Sequence, residues 1–145
     1  MKHDIRWQQR FHNYERAFLL LQEAVEMQSL NELERNGLIQ RFEFTLDLAW
    51  KTLKDFLEEQ GFSFKPSPKD TVRLAQQGGY IAYAQELIDG LDIRNALSHD
   101  YSGEKFEQAE PALRNDVFPA LQKLYTFFAE QIQESDKNLD NNNAQ

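Results

Sequence analysis

"IQRFEFTLDLAWKTLKDFLEEQG", residues 39–61, decides the fold. A helix turns about 100° per residue. At that period Ile39, Phe42, Leu46, Ala49, Leu53 and Phe56 fall on one stripe, with charged residues between them. Strand-like alternation is absent. Gly61-Phe62 closes the segment in the manner of a helix C-terminus, so a helix over 32–60 is predicted. A helix this long with one apolar stripe must be covered by other helices, and the flanking sequence carries the same period.

Upstream, Trp7, Phe11, Tyr14, Phe18, Leu21 and Val25 form a second stripe. Asp4 is placed as its N-cap, which predicts a helix over 4–28. Downstream, "SFKPSPKDTVRLAQQGGY" reads as a connector holding a short helix, 68–77. Ser67 serves as its N-cap, Pro68 as its first residue, Asp70 sits in the first turn, and Gly78-Gly79 ends it. A further helix covers 81–99. The last covers 104–134 on the stripe Phe106, Leu113, Val117, Leu121, Leu124 and Phe128. Pro111 and Pro119 lie inside it, and a mid-helix proline costs about 3 kcal/mol. The apolar phase runs through both, which predicts one kinked helix rather than two. The expected fold is all-α: an up-down antiparallel four-helix bundle with one short extra helix. The domain is expected over 1–135, with a polar, Asn-rich disordered tail over 136–145.

Composition narrows the function. A chain of 145 residues suits one domain with one core, and eleven Phe, five Tyr and two Trp supply its bulk. Phe42, Trp50 and Phe56 are read as core, and Lys51, Lys54, Lys65 and Lys69 as a solvated face. The net charge of −8 argues against coating nucleic acid or an anionic membrane. With no cysteine, disulfides and thiolate metal sites are excluded. "MKHDIRWQQRF" has no long apolar run, so neither a signal peptide nor a membrane span is expected there, and the expected location is the cytoplasm. No Gly-rich phosphate loop, HExxH or paired Asp-x-Asp occurs. No metal and no cofactor are therefore expected, and the chain is not itself a nucleotidyltransferase. Ser98, His99 and Asp100 are consecutive and point in different directions, so they form no triad.

The chemistry concentrates in "RNALSHDY", residues 94–101. Ala84, Leu87, Ile88 and Leu91 define an apolar face. One turn later that face is occupied by Arg94, Asn95, Ser98 and His99. The opposite side carries Ile93, Ala96 and Leu97, a second apolar face able to meet a second chain. Arg94 and His99 are five apart, about 140° around a helix, so they converge only if the helix unwinds near His99 or two copies meet. Arginine presents a charged fork to phosphate, and histidine moves protons near neutrality. Together these groups can cleave RNA without a metal. Equally, both side chains at a helix end can bind the last carbonyls and complement the dipole.

"RNALSHDY" resembles the Arg-x4-6-His motif of the HEPN superfamily (higher eukaryotes and prokaryotes nucleotide-binding). Asn95 is the polar residue after the arginine, and Tyr101 lies two past the histidine. "IQRFEFTLDLAWKTLKDFLEEQG" and "SPKDTVRLAQQGGYI" are similar to the signature of one branch, the nucleotidyltransferase substrate-binding proteins. The resemblance spans about residues 5–130. It implies a dimeric helical bundle that partners a separately encoded minimal nucleotidyltransferase, often as the toxin of a toxin–antitoxin pair. It also implies catalytic roles for Arg94 and His99 with Asn95 assisting, and Tyr101 as the target of adenylylation. Asp100 departs from the pattern, where a neutral residue such as Thr is expected, and a carboxylate there repels phosphate. Three functions follow as expectations. One is a homodimeric partner subunit that contributes nucleotide or RNA binding at Arg94 and His99. Another is a metal-independent ribonuclease. The last is a helical adaptor whose polar turn is only a cap.

Overall fold

The computed structural model describes residues 5–143, and all of its regular structure is helical. Helix α1 spans Arg6–Val25, α2 Glu32–Glu59, α3 Pro68–Gln77, α4 Ala84–Leu97, α5 Glu104–Ala112 and α6 Phe118–Asn143, with a π-helical turn Leu113–Val117 joining the last two. The expected N-cap Asp4 lies outside the described residues. Ile5 occupies the cap position without a side-chain bond.

Both long stripes face inward. Trp7, Phe11, Tyr14, Phe18 and Leu21 of α1 are buried, as are Phe42, Leu46, Ala49, Leu53 and Phe56 of α2. Ile39 is only half-buried, and Leu38 beside it takes the core position. Asn31 starts α2 with a capping box: its side chain accepts the Glu34 N–H at 2.8 Å, and Glu34 accepts the Asn31 N–H at 2.9 Å. Phe62 N–H bonds Leu57 O at 3.0 Å, which closes α2 where the Gly-Phe pair predicted. Ser67 does stand at the N-cap of α3, but its hydroxyl donates to the Asp70 carboxylate rather than accepting a backbone N–H.

Helix α1 packs along α2, and α6 lies against both. The α1–α6 seam is aromatic: Phe18 stacks on Phe118 and Tyr125 at centroid distances of 5.4 and 5.1 Å. The Tyr14 hydroxyl donates to Leu121 O inside it. Burial pushes the pKa of that hydroxyl well up, so it remains a donor. Asp55 is also buried, with Arg10 Nε at 3.1 Å and Lys54 Nζ at 3.3 Å. Lys54 therefore belongs to a buried ion pair, not to the solvated face the sequence suggests. Lys51 and Lys69 pair with Asp47 and Asp92 near the surface.

The two prolines are absorbed as predicted, in one continuous helical rod. The device is the π turn between them, where the Phe118 N–H reaches back to Leu113 O. The wider turn accommodates an interrupted ladder of helix bonds. Leu113, Val117, Leu121, Leu124 and Phe128 all stay in phase and buried. The rod continues past residue 135 to Asn143, through the segment expected to be a disordered tail. Residues 136–142 are solvent-exposed there, so the packed core ends near the expected boundary although the helix does not. No described helix is long and apolar enough to cross a membrane.

Helix α4 is shorter than the predicted 81–99. It begins at Ala84, whose N–H the Gln76 side chain of α3 accepts at 2.8 Å. Along α4, Ala84, Leu87, Ile88 and Leu91 are buried as expected. The second apolar face is corrected: Leu97 is 4% exposed and belongs to the chain's own core, Ile93 packs against it, and only Ala96 is exposed. Gly90 makes this possible. A Cβ there would lie 2.7 Å from Val117 Cγ1, so α4 approaches the π turn more closely than any other residue allows.

Candidate functional site

The motif spans the last turn of α4 and the loop that leads to α5, and three backbone carbonyls of its helical end are bonded within it. Ser98 N–H bonds Arg94 O at 3.2 Å, Ser98 Oγ donates to Asn95 O at 2.8 Å, and Asp100 N–H bonds Leu97 O at 3.1 Å. The Arg94, Asn95 and Leu97 carbonyls at the end of α4 are thus taken by Ser98 and Asp100. Gly103 then turns the chain with φ +83°, a left-handed conformation that L side chains rarely adopt.

Helix α5 starts with no bond from a side chain at its N-cap, Gly103. Its first donors are satisfied from upstream. Ser102 Oγ accepts the Glu104 N–H at 3.3 Å, and the Asp100 carboxylate accepts those of Lys105 and Phe106 at 3.2 and 2.8 Å. Partial desolvation pushes the Asp100 pKa upward. It is outweighed by the N–H bonds from Phe106, Lys105 and Gly103 and by the Lys105 charge, so the net shift is downward. Asp100 is therefore the cap of α5, its charge held by backbone dipoles. The position at which the sequence departs from the resembled motif has a structural occupation.

The remaining motif residues face water. Arg94, Asn95, Ser98 and His99 are exposed, and Tyr101 is 94% exposed. Helix α4 ends at Leu97, so His99 leaves the helix and the unwinding needed for convergence with Arg94 is present. Among the described residues, no side-chain hydrogen bond or ion pair joins Arg94, His99 and Tyr101 to one another or to anything else. All three lie at the C-terminal end of α4 and in the loop that follows it. Arg94 in the last turn of α4 still complements the helix dipole. Neither it nor His99 is used to bind the carbonyls. No group of three or more described His, Asp or Glu residues is placed to hold a metal ion.

A model of the "nucleotidyltransferase substrate binding protein like" family matches residues 9–130. The chain belongs to this family. Its fold is shared with a Thermus thermophilus protein of known crystal structure, 28% identical, with a TM-score of 0.68 over 81% of this chain and 97% of that one. It is also shared with a tri-AMPylated Shewanella oneidensis HEPN toxin solved in complex with an MNT antitoxin. There the identity is 13% and the TM-score 0.72, over 89% of this chain and 99% of the toxin. The helical bundle expected from the motif's resemblance is thus also the fold of that toxin. No curated protein matches the chain significantly.

Proposed function

We propose that this family member is the helical subunit of a complex with a separately encoded minimal nucleotidyltransferase. In this reading Arg94 and His99, with Asn95 between them, contribute nucleotide or substrate binding, and Tyr101 accepts an adenylyl group. The pair acts as a toxin–antitoxin system in which the chain is the toxin half. Two copies joined near the ends of α4 bring two such clusters together in a cytoplasmic homodimer.

The observation that carries the reading is the idleness of these side chains. A pure cap would use Arg94 and His99 on the terminal carbonyls of α4, yet Ser98 and Asp100 occupy those of Arg94, Asn95 and Leu97. A charged fork, an imidazole and a phenol held at one exposed corner, without intramolecular partners among the described residues, suit a phosphate-bearing ligand. The nearly full exposure of Tyr101 suits a residue reached by a second protein. The Shewanella toxin of the same fold carries AMP and sits in complex with its MNT antitoxin, which supports the same assignment here.

The test is capture of the tagged chain from its own cell, followed by mass spectrometry of the partners and of the peptide containing Tyr101. A nucleotidyltransferase partner and one adenylyl group, lost in Tyr101→Phe, are the expected results. Absence of any nucleotidyltransferase would end the reading. The ribonuclease alternative is separated by expression of the unmodified chain: growth arrest abolished by His99→Ala supports cleavage, and equal toxicity of the alanine variant rejects it.

A further inference from the structure

A residue far from the motif in sequence lies against the loop that follows it. Arg35, in the first turns of α2, sets its guanidinium on the backbone of Gly103. A Cβ built on that glycine would be 2.5 Å from Arg35 Nη1, 2.7 Å from Cζ and 3.0 Å from Nη2. Gly103 is required by its left-handed φ, and a side chain there would in addition displace the flexible end of Arg35. The contact places Arg35 beside the glycine that lies four residues after His99 and two after Tyr101 along the loop.

The state of this guanidinium is unusual for the molecule. Arg10, Arg35, Arg41 and Arg114 are the half-buried arginines among the described residues. Arg10 has Asp55, Arg41 has Leu20 O and Glu23, and Arg114 has Val25 O and Glu110. Among the described residues, Arg35 makes neither a side-chain hydrogen bond nor an ion pair. Two acids near it in the chain or in the loop are committed elsewhere. Glu34 Oε1 accepts the Asn31 N–H, and Asp100 accepts the first N–H groups of α5. The Arg35 guanidinium nitrogens stay in contact with solvent, so an arriving anion finds the charged fork open.

We propose that Arg35 is a phosphate-binding residue of the Arg94/His99/Tyr101 site, and that its fork takes the phosphate of a mononucleotide held there. The inference rests on the reading of that corner as a nucleotide site and adds the residue that anchors the phosphate. Two arginines and an imidazole then frame one ligand. Arg94 comes from the end of α4, His99 from the loop, and Arg35 from α2 beneath the turn. Because Arg35 is braced against a buried glycine, it offers its fork at smaller entropic cost than exposed Arg94. Asp100, folded away into the α5 cap, does not compete for it.

The experiment uses the full chain made by cell-free synthesis without any nucleotidyltransferase, titrated calorimetrically with AMP and with adenosine. Four variants accompany the parent: Arg35→Ala, Arg35→Lys, Arg94→Ala and Arg6→Ala. Arg6 is an exposed arginine at the start of α1 and controls for net charge. The expected result is a loss of AMP affinity of about tenfold or more in Arg35→Ala, as for removal of one charged hydrogen-bond partner. A smaller loss is expected in Arg35→Lys and none in Arg6→Ala, with adenosine binding unaltered throughout. Circular dichroism confirms folding, and Arg35→Lys keeps the question answerable if the alanine variant unfolds. AMP affinity that falls in Arg94→Ala but not in Arg35→Ala or Arg35→Lys overturns this proposal and leaves the site reading intact. A parent that gains nothing from the phosphate of AMP overturns both. If Arg35 affects a single-stranded RNA oligonucleotide and not AMP, the mononucleotide assignment is overturned.

Discussion

At the scale of single residues, Asp100 changes the meaning of the motif. From the sequence, a carboxylate between His99 and Tyr101 is a repellent for phosphate. In the structure it holds the N-terminal N–H groups of α5, while His99 and Tyr101 on either side of it stay exposed. Its folded pKa lies below the ordinary value of 3.8. A lowered carboxylate pKa contributes stability that is present above the unfolded value and lost as pH falls through the folded one. The parent should therefore exceed Asp100→Ala in unfolding midpoint by a few degrees at neutral pH, and the gap should close below about pH 4. Thermal unfolding of both proteins between pH 3 and pH 7 checks this. A gap that does not change with pH would remove the carboxylate from the cap. The residues of the motif itself are legible in the sequence because Arg94, Asn95, His99 and Tyr101 lie within eight positions. Arg35 is not legible. It is far from Gly103 along the chain, and nothing in the local pattern of either residue records that they touch.

At the scale of elements, the crossing of α4 over the π turn decides where the motif sits. Gly90 is ordinary in the sequence, a glycine in a helix that should prefer alanine by about 1 kcal/mol. In the fold it faces Val117 Cγ1, and a methyl group at 2.7 Å cannot be accommodated without movement. Overpacking of this kind costs about 1–3 kcal/mol. Gly90→Ala is expected to be net destabilising by about 1 kcal/mol despite its better helix propensity. Val117→Ala in the same chain should recover part of the loss by making room, although Val117→Ala alone is destabilising. Chemical denaturation of the two single variants and the double variant measures the coupling. Additive losses would mean that the two side chains do not meet. The prolines illustrate the same limit. Their spacing and the unbroken apolar phase predict a single rod, but a π turn is a response to packing and leaves no separate mark in the residues.

At the scale of the whole molecule, the bundle is held by one aromatic cluster spanning α1, α2 and α6. Phe128 is fully buried and lies within 6.3 Å, centroid to centroid, of Trp7, Phe11, Tyr14, Phe56 and Phe127. Its truncation to alanine should cost about 3–5 kcal/mol, read from the urea midpoint. Leu139 lies on the outer part of α6, where the helix has left the core, and is 44% exposed. Leu139→Ala should stay within about 0.5 kcal/mol of the parent. A large loss at Leu139 would show that the segment beyond residue 135 is part of the folded core in solution.

Periodicity determined the all-α class, the two long helices and the single proline-bearing rod, and the end signals from Ser67 to Gly79 determined the short third helix. Each of these depends on which side chains recur every three or four residues, and that is a local property of the chain. Tertiary structure decided the rest. It turned Leu97 into the core instead of toward a second chain, sent Asp100 to cap α5 and laid Arg35 on Gly103. These outcomes depend on which groups meet across long separations. Burial and hydrogen-bond satisfaction are properties of the assembled molecule, so a local pattern can name the candidates for a site without placing them.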